Sequence, residues 1–143
     1  MSFDLRIRNG DIGLNSDGSV KIVDNNTKLR QDIVKILLTD TGSNKFHKFY
    51  GSRVGALEIG GVADRSIIDT DLEASVRRAL SNLISMQKAQ SRKQFITPGE
   101  KILEVTSVSV ERDQADPRLY NVFISVLTQK LSTISEVITI RIV

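Results

Sequence analysis

The chain has 143 residues, 40% hydrophobic and 26% charged, with 20 Lys and Arg against 17 Asp and Glu. That length suits one domain able to bury a core, and the composition is that of a folded rather than a disordered chain. Cys is absent and there is one His, so a disulfide framework, thiolate chemistry and the usual zinc or iron ligand sets are excluded.

Trp is absent and aromatics are 5%, so aliphatic side chains must carry the packing. The start, Met1-Ser2-Phe3-Asp4, lacks the basic and apolar regions of a signal peptide. Apolar runs fall far short of the roughly 20 residues that cross a bilayer. Assembly in the cytosol without membrane contact is therefore the default expectation. A formal charge of +3 does not argue for nucleic acid. Lys88, Arg92 and Lys93 gather near an expected helix end, where the macrodipole favours cations.

Residues 1–25 read as an arm of short strands and turns, because Asn9-Gly10 and Asp17-Gly18 are turn dipeptides with apolar residues alternating around them. Leu29, Ile33, Ile36 and Leu37 predict a first helix over 27–39, capped by Asn26 or Thr27 and ended at Thr41-Gly42. Residues 43–51 carry no period but hold Phe46, His47, Phe49 and Tyr50, which predicts an interaction loop. A short helical turn is expected over 53–61. Thr70-Asp71-Leu72-Glu73 has the form of a capping box, followed by the stripe Leu72, Val76, Leu80, Leu83 and Gln87; this predicts a second helix reaching about Lys93.

Thr97-Pro98-Gly99 opens a β-rich third. Leu103 and Val105 alternate, as do Val108 and Val110, and a bulge near Thr106 would repair the slip in phase between the pairs. Tyr120, Val122, Ile124 and Val126 predict a middle strand, and Ile134, Ile138, Ile140 and Ile142 a last one with Thr139 and Arg141 on its other face. The expected fold is α+β: two main helices packed on a small C-terminal antiparallel sheet, with an N-terminal arm or hairpin. One domain is expected over 1–143, with an arm at 1–25, a helical part at 26–96 and a β-meander at 97–143.

Catalytic chemistry finds little support. His47 sits between Lys45 and Lys48 with no nucleophile motif near it, and the glycines at 51, 55, 60 and 61 form no phosphate cradle. Asp69, Asp71 and Glu73 are the densest acidic cluster, at an expected helix start where negative charge serves capping. No catalytic residue, metal site or cofactor is expected.

The run Gln31-Asp32-Ile33, then Leu37-Leu38-Thr39-Asp40-Thr41-Gly42 and the aromatic and His stretch to Tyr50-Gly51-Ser52, resembles a signature of phage contractile-tail baseplate proteins, the sheath-initiator family typified by gene product 25 and protein W. The likeness continues through Ala79-Leu80 to Thr97-Pro98-Gly99-Glu100-Lys101-Ile102 and covers nearly the whole chain in order. Lys48 stands where the family often has Pro. Lys101 stands in an element where the family carries Arg, and supplies a point charge instead of a planar fork.

The resemblance implies a structural subunit, present in several copies in a virion tail baseplate. It would contact other wedge subunits, the tail tube and the sheath, and seed the sheath by strand addition to its C-terminal sheet. Partner contacts are expected at Gln31, Thr39, Gly42, His47, Tyr50, Gly51, Glu100, Lys101, Ile138, Thr139, Ile140 and Arg141. Some relatives carry a lysozyme label, which nothing in these residues supports transferring. The alternatives are a peptidoglycan-degrading tail enzyme and an unrelated adaptor that docks peptides on its sheet edge.

Overall fold

The computed structural model describes residues 2–54 and 65–141. Two helices pack against a C-terminal three-stranded antiparallel sheet, with small hairpins ahead of them, as the α+β expectation has it. The expected helical turn at 53–61 and the end of the last strand, Ile142 and Val143, lie largely or wholly outside the described residues.

The arm holds β1 (Asp4–Leu5), β2 (Ile7–Arg8), β3 (Asp11–Ile12) and β4 (Ile22–Val23), pairing β1 with β4 and β2 with β3. Asn9 and Gly10 turn between β2 and β3 with φ of 53° and 80°, the two positive values that a type I′ turn demands. Gly18 closes the other turn at φ 82°, with its N–H on the Asn15 carbonyl and the Asn15 N–H on Ser19.

Helix α1 (Asn25–Leu38) buries Leu29, Ile33, Ile36 and Leu37, the predicted stripe. Its start differs from the expected cap. Asp24 occupies the cap position with no side-chain bond, while Thr97 donates its hydroxyl to Asn25 Oδ1 at 2.7 Å. A tertiary contact thus helps to fix a terminus that local chemistry leaves open. Gly42 does not end the helix either; it lies beyond the Thr39 cap, in an Asp40–Ser43 turn, at φ 89°.

Helix α2 (Arg65–Gln90) is already under way at Thr70, so the capping box is not formed. Thr70 instead donates its hydroxyl to the Ser66 carbonyl one turn back, and Glu73 pairs with Arg77 at 2.9 Å. Threonine can make that back-bond inside a helix as well as cap one, which is why the motif misleads. The stripe itself holds: Leu72, Val76, Leu80, Leu83 and Gln87 are all buried.

Strands β5 (Ile102–Arg112), β6 (Leu119–Thr128) and β7 (Thr133–Arg141) lie in that spatial order. Tyr120, Val122, Ile124 and Val126 of β6, with Ile134, Ile138 and Ile140 of β7, close the core against the helices. The register slips at Thr106, as predicted, and again at Leu103. That second slip leaves Leu103 exposed and puts Ile102 in the core, the reverse of the expected alternation.

The hairpin from β6 to β7 repeats the bonding of the Gly18 turn: Thr128 N–H to the Ser132 carbonyl, Leu131 N–H to that of Thr128. The left-handed position is here a leucine, at φ 63° and 74% exposed. A non-glycine residue in that conformation costs about 1–2 kcal/mol, so Leu131→Gly should raise stability by somewhat less, about 0.5–1 kcal/mol after the added chain entropy of glycine. A denaturant midpoint that stays put or falls would show that the Leu131 side chain contributes more to folding than its backbone costs.

Candidate docking surface

The outer edge of the sheet follows from one hydrogen bond and the register. Thr128 and Ser132 form a hydrogen-bonded pair, so alternation gives the same status to Val126–Ile134, Ile124–Glu136, Val122–Ile138 and Tyr120–Ile140. Ser135, Val137, Thr139 and Arg141 fall between them and turn their N–H and C=O groups away from β6. Among the described residues, no strand pairs with that edge. Thr139 and Arg141 are exposed and present backbone outward. Ile138 and Ile140 do not: they are buried and bonded to β6, so their expected partner contacts are corrected to core packing.

Gln31 is a clamp for the arm. Its Oε1 accepts the Ile7 N–H at 2.9 Å, and its Nε2 donates to the Leu5 carbonyl at 2.7 Å and to Asp4 at 3.0 Å. Lys35 pairs with Asp4 and with Asp32. Burial by itself would raise the Asp4 carboxyl, but the hydrogen bond and charge of Lys35, with bonds from Gln31 and Leu5, hold it below the usual carboxylate range. Burial likewise pulls Lys35 down, and its two carboxylate partners outweigh that and raise it.

A carboxyl depressed in the folded state stabilises above its unfolded pKa, and that contribution is lost as pH falls through the folded value. We expect acidification below about pH 4, the unperturbed Asp range, to loosen the arm before the rest of the fold unravels. Amide exchange at Leu5 and Ile7 should then rise ahead of exchange in β6; simultaneous loss of protection would refute the clamp.

The loop after α1 is closed at its base. Ser52 donates its N–H to the Thr39 carbonyl at 2.8 Å and accepts from the Thr41 N–H at 3.0 Å, while its hydroxyl reaches the Leu37 carbonyl at 2.6 Å. Gly51 is buried at φ 117°, and a Cβ there would stand 2.5 Å from the Thr39 carbonyl oxygen. Thr39, Gly42 and Gly51 are thus framework of the loop. Tyr50 is half-buried against the core, and burial raises its phenol pKa.

The outward side chains are others. Asn44 Oδ1 accepts the N–H groups of Phe46 and His47; Phe46 is 91% exposed and Phe49 49%. The ring of His47 stands 5.6 Å from that of Phe49. Phe46 and Phe49 were legible as loop aromatics, but nothing in the sequence separates them from the inward Tyr50.

Glu100 and Lys101 sit at the entrance to β5. Glu100 is 2% exposed; one oxygen accepts the Thr97 N–H at 3.1 Å, and the other has no partner among the described residues. Gln87 ties this corner to α2, donating to the Glu100 carbonyl at 2.7 Å and accepting from the Ile102 N–H at 2.9 Å. The Lys101 carbonyl takes the Gln129 N–H. The expected partner contact at Glu100 is corrected to a buried joint, because its side chain is closed off beneath the corner.

No family model and no curated protein matches the chain. Among solved structures, a Geobacter sulfurreducens protein named "putative tail lysozyme" aligns over 82% of this chain and 90% of its own, with a TM-score of 0.60 and 14% identity. The two chains share a fold. At that identity the likeness to the Geobacter protein is one of backbone architecture. Residue roles must come from the geometry of this chain.

Three grooves bear on chemistry. One of about 540 Å³ lies between the arm, α1 and β7, and its acidic residue, Glu136, is paired with Arg30 at 3.0 Å. A second, of about 380 Å³ between the loop and α2, contains one carboxylate, Asp71. A third, at the loop tip, contains none.

Proposed function

We propose that the protein is a structural subunit of a contractile-tail baseplate and nucleates the sheath by accepting a strand on the outer edge of β7. The observation that carries this reading is that edge, where Ser135, Val137, Thr139 and Arg141 present backbone groups unpaired among the described residues; the sheet's other edge, β5, is broken by two register slips, as β7 is not. Such edges are normally blunted by charge, bulges or covering elements, and a long unblunted one is a template for strand addition. Its Glu136 points to the helix layer and is engaged by Arg30, which leaves little charge to block pairing. The baseplate signature over 31–52 and the tail-protein name of the Geobacter structure support the same reading. The subunit would act in several copies within the virion tail, contacting other wedge proteins, tube and sheath.

Proline at an outward-facing position tests this. Thr139→Pro removes an outward donor and spares the ladder to β6, the placement that edge strands tolerate. We expect a folded subunit that enters the baseplate and yields tails with tube and no sheath. Thr139→Val should assemble normally, and Ile140→Pro, which cuts the inner ladder, should misfold. Arg141→Pro repeats the test at the same parity should Thr139→Pro fail to fold. Sheathed tails from a folded outward-facing proline variant would end the strand-addition reading.

The Geobacter protein's name raises cell-wall hydrolysis as a second reading. Glycoside hydrolysis by the common route needs two carboxylates roughly 5–9.5 Å apart across the scissile bond. Each groove described above holds at most one, which favours the structural reading. The purified protein should leave cell-wall turbidity unchanged; clearing that is lost on Asp71→Asn or Glu136→Gln would replace the structural role with a hydrolytic one.

A further inference from the structure

The charges are unevenly placed along the chain. Residues 41–54 carry Lys45, Lys48 and Arg53, residues 74–99 carry Arg77, Arg78, Lys88, Arg92 and Lys93, and neither segment contains an acid. Eight of the 20 basic residues and none of the 17 acidic ones fall there, so the rest of the chain is net acidic. The fold brings these segments together: Asn82 of α2 donates to the Phe49 carbonyl at 3.1 Å, and the Arg53 N–H reaches Ser75 Oγ at 2.9 Å.

Between the loop tip and α2 lies a groove of about 360 Å³, lined by His47, Phe49, Ser85, Met86, Ala89 and Gln90. The two small residues, Ser85 and Ala89, stand one helical turn apart on an exposed face of α2, so its backbone can be approached closely. The same face carries Arg78 two turns before Ser85, and Arg92 lies in the turn that follows the helix. Phe46, Lys45 and Lys48 stand exposed on the loop side.

Among the described residues, Lys45, Lys48, Arg78 and Arg92 have no ion-pair partner, whereas Arg77 is paired with Glu73. Asp40 lies at the loop base and Asp71, two helical turns before Arg78, lines the neighbouring groove; neither lines this one. The helix macrodipole accounts for cations at the end of α2, but not for the lysines on either side of His47 in a separate loop.

We propose that this groove docks an acidic amphipathic segment of a neighbouring protein, with one large apolar side chain seated between Phe49 and Ala89 and carboxylates against Lys45, Lys48, Arg78 and Arg92. The occupant's charge follows from the bases without acids over residues 41–54 and 74–99, and its apolar anchor from Phe49, Met86 and Ala89 in the groove's lining. Aromatic side chains, Phe among them, are enriched at the cores of protein interfaces. The surface is separate from the β7 edge, so it stands or falls apart from sheath seeding.

The test uses the intact isotope-labelled protein and three probes: a helix-forming peptide with one Phe flanked by glutamates, the same peptide with lysines, and oligo-dT. The glutamate peptide should shift the amides of Phe46, His47, Phe49, Ser85 and Ala89. Lys45→Glu with Lys48→Glu should weaken it by roughly tenfold, about 1.4 kcal/mol, and added salt should weaken it as well. Ala89→Trp fills the groove without touching charge and should weaken it comparably. Because both sites are exposed, an unchanged melting curve is expected for each variant. Equal binding of the lysine peptide, tighter binding of oligo-dT, shifts confined to other surfaces, or a self-association abolished by the lysine reversals would overturn the proposal.

Discussion

Gly51→Ala is expected to destabilise the protein by roughly 2–5 kcal/mol, the sum of a backbone forced into a region closed to L side chains and of overpacking. The methyl group would meet the Thr39 carbonyl oxygen at 2.5 Å and the Asp40 carbonyl carbon and Thr41 nitrogen at 2.9 Å. These are backbone atoms held by the bonds between Thr39, Thr41 and Ser52, so no side chain can swing aside to make room. The damage should spread to the whole loop, because Ser52 also ties it to the end of α1. Urea unfolding measures the loss. A midpoint within error of wild type, at the same slope, would mean that the loop base is free to move.

Leu80→Ala is the second large effect, a loss of about 2–5 kcal/mol. Leu80 has no solvent exposure and belongs to the core shared by α1, α2 and the sheet, so truncation removes buried methyl groups and leaves a cavity that a three-sided core cannot collapse around. Arg78→Ala, two positions earlier on the exposed face, should move stability by less than about 0.5 kcal/mol. Comparable losses at Leu80 and Arg78 would refute the helix-face assignment.

The candidate site was only half legible. The motif from Gln31 to Ser52 marks a real structural unit, but it mixes residues that build the unit with residues that face outward. Gln31, Thr39, Gly42 and Gly51 build it; His47, with Phe46 and Phe49 beside it, faces out. A motif records that a position needs a particular residue and not whether the need is internal. Glu100 shows the same ambiguity, since a carboxylate suggests exposure and this one lies beneath a corner closed by Gln87.

What the sequence determined by itself were features with a local cause. Alternation placed the faces of β6 and β7, helical spacing placed the buried stripes of α1 and α2, Asn9-Gly10 and Asp17-Gly18 made their turns, and a phase slip announced the bulge at Thr106. Each depends on bond geometry within a few residues or on the repeat of one element, so neighbours in sequence suffice to specify it. Tertiary structure decided the rest. The start of α1 is met by Thr97, more than half the chain away, and the arm is held by Gln31 and Lys35. Backbone parity on β7 was undecided until the ladder to β6 assigned inward and outward donors, because a strand read alone has two equivalent edges. The groove at the loop tip exists only where the loop is set against α2, since a hollow is a sum over residues that only the packed chain brings together.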